Sequence, residues 1–190
     1  MQNLLIIIGS AKCGTSSLSM WLDKHPAFAK GLKKEPRFFT DFSDRTWRGP
    51  ASKGFATSQI TTYEAYISNF PNVRSGTWAV DASTDYIWCD VSPRKIASFA
   101  KNKAVNVKLV AIVRDPVDRA ISEYNHTLRH NWETASLEEA LDAEPGRMSS
   151  GYHPLFYHIR RSTVLADITR YWEVFGQDLL ILDYANMKHQ

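Results

Sequence analysis

Cysteine is scarce, long apolar runs are missing and the charge is nearly balanced, and each shortage removes a class of protein. Two cysteines, Cys13 and Cys89, allow at most one bridge, and neither sits in a CxxC or Cys/His pattern. A disulfide scaffold and a cysteine-built zinc site are therefore not expected, and a reducing compartment is. The opening apolar run, Leu4 to Ile8, follows Met1-Gln2-Asn3 without a basic region. It is shorter than the core of a signal peptide and far shorter than the roughly 20 residues of a membrane span, so no membrane insertion is expected and the protein reads as soluble and cytoplasmic. A formal charge of +3 is too small for the basic stripe of a nucleic-acid binder.

What is present fits one globular domain over residues 1–190, with 44% apolar and 23% charged residues. Leu4-Leu5-Ile6-Ile7-Ile8 has the continuous β-branched and leucine character of a strand covered on both faces. Beyond a tight loop, residues 16–24 place Leu18, Trp21 and Leu22 at helical spacing, and His25-Pro26 ends the helix. Further strands are expected at 77–80, ending in Asp81, at 105–113 and at 179–182. Helices are expected at 61–70, from Ser92-Pro93, from Asp115-Pro116 to Arg129, at 137–141 and at 163–175. Residues 41–58 read as a long surface loop and Glu144-Pro145-Gly146 as a turn. Strands alternating with helices predict an α/β fold of three layers, a central parallel sheet flanked by helices.

The chemistry concentrates in Gly9-Ser10-Ala11-Lys12-Cys13-Gly14-Thr15-Ser16-Ser17, between the first strand and the first helix. Such a loop aims backbone N–H groups and a helix N-terminus at one small volume, which favours an anion. Lys12 adds a mobile charge and Thr15, Ser16 and Ser17 add hydroxyls. The nucleoside-triphosphate loop has the pattern GxxxxGK[ST]. Here Thr15 follows the second glycine and the lysine has moved to Lys12, which argues against an ATP-dependent kinase. Arg114 leaves the end of a buried strand and Ser122 lies two turns into the next helix, so both can face the crevice beyond the strand ends. A guanidinium there suits a terminal phosphate; a surface ion pair with Asp115 or Asp118 is the alternative.

The run Lys12 to Leu18 resembles the PKxGTTxL-type 5′-phosphosulfate loop of sulfotransferases that use 3′-phosphoadenosine 5′-phosphosulfate (PAPS). Lys34-Glu35-Pro36-Arg37-Phe38-Phe39 resembles the KE-x-x-FF segment of the heparan sulfate and related carbohydrate sulfotransferases. Ile112 to Tyr124 resembles their 3′-phosphate motif, and Tyr171 to Tyr184 their late helix and strand. The resemblance implies a P-loop-like fold, PAPS as donor, no metal, and a glycan or other small-molecule acceptor.

It also implies donor contacts from Lys12, Cys13, Gly14, Thr15, Ser16, Ser17, Arg114 and Ser122, with Lys12 stabilising the leaving oxygen and Glu35 acting as base. As a surface carboxylate among Lys33, Lys34 and Arg37, Glu35 would instead titrate low and serve poorly as a base. Asp81 and Asp85, read as lying just past a strand end, are the reserve bases, and Arg37 and Ser83 are candidate substrate contacts. Many relatives carry a lysine in a Glu-Lys-Ser-Pro-like segment where this chain has Ala82, and a C-terminal donor-covering segment that this sequence is expected to lack. A non-catalytic nucleotide-binding module of the same fold is the other class kept open. His126 and His130, four apart on a helix, read as a solvated face.

Overall fold

The computed structural model describes residues 1–50, 52 and 58–187. Among these residues five parallel strands form one sheet: β1 (Asn3–Gly9), β2 (Phe28–Lys30), β3 (Trp78–Ala82), β4 (Asn106–Val113) and β5 (Leu179–Asp183). Their order is β2-β3-β1-β4-β5, so β1 is central and the chain reverses its direction of winding beside it. Loops leaving β1, β3 and β4 then converge on one crevice at the carboxyl ends of the strands.

Strand geometry turns successive side chains to opposite faces, and β1 shows the consequence. Leu4, Ile6 and Ile8 enter a core with Tyr66, Tyr86, Ile96, Ile168 and Tyr171, while Ile7 packs on the opposite face against Val80, Leu18 and Leu22. Both faces are covered, which is why the strand is apolar throughout. Helix α1 (Thr15–Asp23) covers one face, and α3 (Ser92–Lys103) and α7 (Leu165–Phe175) cover the other. The three-layer α/β expectation holds.

The remaining helices are α2 (Tyr63–Ser68), α4 (Pro116–Arg129), α5 (Leu137–Asp142), α6 (Glu144–Ser149) and α8 (Tyr184–Met187). Helix α4 starts as its sequence demands, with the Asp115 side chain accepting from Asp118 N at 2.9 Å and Pro116 in the first turn, where its missing N–H costs nothing. None of the described helices is long and apolar enough to cross a membrane.

Three readings of the sequence are corrected. Glu144-Pro145-Gly146 opens α6 rather than making a turn, because proline is well suited to a first helical turn and the buried Glu144 carboxylate accepts from Ile159 N and Arg160 N, both at 2.8 Å. Strand β3 runs on to Ala82, so Asp81 lies inside it rather than beyond its end. The three-residue edge strand β2 went unrecognised, being too short to show a period. Of the expected loop at 41–58, residues 51 and 53–57 lie outside the described residues, and its start is anchored by Phe42, which is buried and stacks on Trp88 with centroids 4.9 Å apart.

Candidate active site

The loop from β1 to α1 is built for close approach. Gly14 has φ of 82°, and a Cβ there would stand 2.9 Å from the Tyr184 ring, so both backbone and space call for glycine. Helix α1 begins beyond it with no side-chain cap and no acidic residue in its first turn. Its first N–H groups and positive dipole end are thereby left to an anion. Two guanidiniums strap the loop from below: Arg119 Nη1 donates to the Ala11 carbonyl and Arg114 Nη1 to the Lys12 carbonyl, each at 3.2 Å. Cys13 turns the other way and is buried against Val110 and Ile112.

A cavity of about 420 Å³ opens over this loop. It is lined by Lys12, Gly14, Thr15 and Ser16 from the loop and the helix start, by Arg114 and Ser122 from the end of β4 and α4, and by Lys34, Glu35 and Arg37 from the segment after β2. Residues more than a hundred apart in sequence thus meet around one volume, lined by five cationic side chains and three carboxylates. Its balance favours an anionic ligand.

The sequence matches the family described as "Sulfotransferase domain" over residues 2–190. The chain belongs to the sulfotransferase family. It is 32% identical over 133 residues to mouse heparan sulfate glucosamine 3-O-sulfotransferase 3B1, a match covering 70% of this chain and 29% of that protein. It is 29% identical over 148 residues to the bifunctional heparan sulfate N-deacetylase/N-sulfotransferase 1 of Caenorhabditis elegans, covering 73% of this chain and 15% of the other. The chain therefore spans less than a third of the length of these curated relatives. The crystal structure of a sulfotransferase from Alicyclobacillus acidocaldarius superposes with a TM-score of 0.90 at 32% identity, over 100% of this chain and 76% of that one.

Within this cavity Glu35 is held rather than loose. Its carboxylate accepts from Thr84 N at 2.8 Å and from Thr84 Oγ1 at 3.1 Å. Burial, reinforced by the nearby Asp85 charge, pushes its pKa up to about 7 despite Arg37 and Lys34. Of the two readings of Glu35, the low-titrating surface carboxylate is thus the one the structure disfavours: desolvation outweighs the flanking cations. Burial also lowers the Lys12 pKa, with help from Arg129 and Arg114.

Several expected contacts lie elsewhere. Asp81 is only 1% exposed, and its carboxylate accepts from Tyr66 and Tyr86 hydroxyls at 2.9 Å and from Ser83 Oγ at 2.8 Å. Burial raises it to about 6, but it faces the core and does not line the cavity. Ser83 is fully buried beside it, and neither Cys13 nor Ser17 lines the cavity. Arg37 and Asp85 do line it, paired at 2.7 Å, so Arg37 belongs to a buried ion pair and not to the exposed basic cluster it adjoins in sequence. Arg114 combines both readings made of it: it lines the cavity and also meets Asp118 at 3.2 Å.

The sequence reading overlooked Lys34, Glu123, His126, Arg161 and Tyr184 as cavity residues. A signal existed for two of them. Arg119, Ser122, Glu123 and His126 recur at three- and four-residue steps along α4 and so share one face. His126 is accordingly no simple solvated residue: burial and then the Lys12 charge lower its pKa to about 4, leaving it neutral near pH 7. Arg161 arrives from an irregular segment before α7, where no periodicity marks it.

Proposed function

We propose that this chain is a PAPS-dependent sulfotransferase domain that moves a sulfuryl group to a hydroxyl or amine of a carbohydrate or similar small acceptor. The observation that carries the reading is the joint placement of Lys12, the uncapped start of α1 and the carboxylate of Glu35 on one cavity. The donor's charge fits this site: besides Lys12, Arg114 and the hydroxyls of Thr15, Ser16 and Ser122, the buried Arg114 Nε has no hydrogen-bond partner among the described residues. The acceptor class rests on the relatives, which are named for heparan sulfate.

In the reaction, the acceptor oxygen or nitrogen bonds to sulfur as the bond from sulfur to the 5′-phosphate oxygen breaks, and the electron pair stays on that oxygen. Lys12 meets the charge that grows there, a preorganised cation in a partly dry site. Glu35, with a pKa near 7, takes the acceptor's proton. Arg114 and Ser122 hold the 3′-phosphate and so fix the donor's position along the cavity.

Thermal shift tests the reading directly. Adenosine 3′,5′-bisphosphate (PAP) at a hundred times its Kd should raise stability by about 2.7 kcal/mol without metal. ATP with Mg²⁺ should do less; stabilisation by ATP with Mg²⁺ that matches PAP and disappears with EDTA would overturn the assignment. A second measurement concerns selectivity. Replacing Arg114 and Ser122 together by alanine should weaken PAP about tenfold to a hundredfold, the loss of roughly 1.5–3 kcal/mol expected for a charge-assisted pair. AMP, which lacks the 3′-phosphate, should bind nearly as before, and a double variant that still prefers PAP by the parent's margin refutes the role.

A further inference from the structure

Lys34 and Glu35 are neighbours in sequence, yet both side chains line the cavity. In extended backbone two successive side chains diverge. Here Glu35 has φ of 55°, the left-handed region that a non-glycine residue enters at a cost of about 1–2 kcal/mol. Glu35 N donates to the Ala82 carbonyl at 3.3 Å, which seats the turn on the end of β3. From there the Lys34 ammonium donates to Ser16 Oγ at 2.6 Å, in the first turn of α1. Two lysines thus line the cavity at the helix start, Lys12 from within the loop and Lys34 from a separate segment that reaches Ser16, next in sequence to the proposed base.

We propose that Lys34 is a second catalytic cation, gripping the sulfuryl group from a different segment than Lys12. The proposal rests on the donor assignment made above and adds a residue to it. An in-line transfer spreads charge over the sulfuryl oxygens as well as the bridging oxygen, and Lys12 is one ammonium with one direction of approach. Lys34 adds donors beside Glu35, where the acceptor must enter. Arg114 and Ser122, by contrast, also line a second hollow with Asn125 and Arg129, which neither Lys34 nor Glu35 lines. The two ends of the cavity therefore differ in their chemistry, and Lys34 belongs to the reacting end.

Equilibrium binding of PAPS and PAP to the full chain and to Lys34→Ala tests this, because PAP has the same nucleotide and no sulfuryl group. PAPS affinity should fall about tenfold or more, the loss typical of a charge-assisted hydrogen bond, while PAP affinity changes less than about threefold. Lys34 is exposed, so the variant should fold, and an unchanged melting temperature checks that. Ala82, Ser16 and Lys34 line a smaller adjoining cavity of about 200 Å³, so a lysine at position 82 can reach the same space. The double variant Lys34→Ala, Ala82→Lys should recover PAPS affinity. Equal weakening of PAPS and PAP would place Lys34 on the 5′-phosphate alone and overturn the proposal, as would no weakening of either. A parent chain that binds neither ligand would instead refute the donor assignment itself.

Discussion

Replacing Glu35 by glutamine should lower sulfuryl turnover by about 10²–10⁴-fold, the range measured for loss of a general base, while PAPS and PAP bind as before. The amide keeps the shape of the carboxylate and its contact with Thr84, so the change isolates the proton acceptor. Turnover of the parent should rise with pH through about 7, since the base works only when ionised and burial holds its pKa there. That rising limb should vanish in Glu35→Gln. Lys12→Ala provides the contrast. Its loss should depress turnover far more than PAP affinity, because the charge it meets develops only during transfer. A Glu35→Gln variant that turns over within about threefold of the parent would remove the base assignment. Of the two reserve aspartates Asp85 would then be the candidate, since it lines the cavity and Asp81 does not.

The largest effect on stability should come from Glu123→Ala. A continuous chain of buried charges runs along the cavity, lining it except at its last member: Arg37 meets Asp85 at 2.7 Å, Asp85 meets Arg161 at 3.1 Å, Arg161 meets Glu123 at 2.6 Å, and Glu123 meets Arg119 at 2.5 Å. Arg119 then holds the Ala11 carbonyl of the loop between β1 and α1 at 3.2 Å. Every member is less than a tenth exposed, and Glu123 is fully buried. Breaking a buried network by removing one partner costs about 3–5 kcal/mol, because the other charges stay desolvated. For a chain of this size that is a fall of roughly 6–20 °C in Tm by calorimetry.

Burial alone would raise the Glu123 pKa, but Arg161 and Arg119 outweigh it and hold it below its ordinary 4.5. The stability from this carboxylate is therefore present above about pH 4.5 and lost as pH falls through the lowered value. A variant that melts within about 1 kcal/mol of the parent at pH 7 would mean the chain of charges is dispensable.

The order of the elements was legible because each rests on local physics. The apolar run of β1, the Asp115-Pro116 start of α4 and the small residues after Gly9 favour strand, helix and a tight loop by sterics, capping and backbone freedom. The family resemblance was legible for the same reason, since its motifs are short and contiguous. Two-sided burial even gave β1 its continuous apolar character before any partner strand was known.

Which charges face one another could not be read in that way. Asp81 and Asp85 stand four apart in sequence, yet two more residues of strand turn Asp81 into the core while Asp85 joins Arg37 and Arg161 at the cavity. Lys34 looked like one more member of a basic run until the positive φ of Glu35 brought both side chains to the same side. Arg161 stands seventy-six residues from the aspartate it pairs with. Sequence by itself therefore determined four of the five strands, the glycine-bearing loop after β1 and the family, which depend on contiguous residues and on backbone sterics. Tertiary structure decided which side chains share the cavity and what their pKa values are, because desolvation and charge pairing act through space and depend on neighbours that only folding brings together.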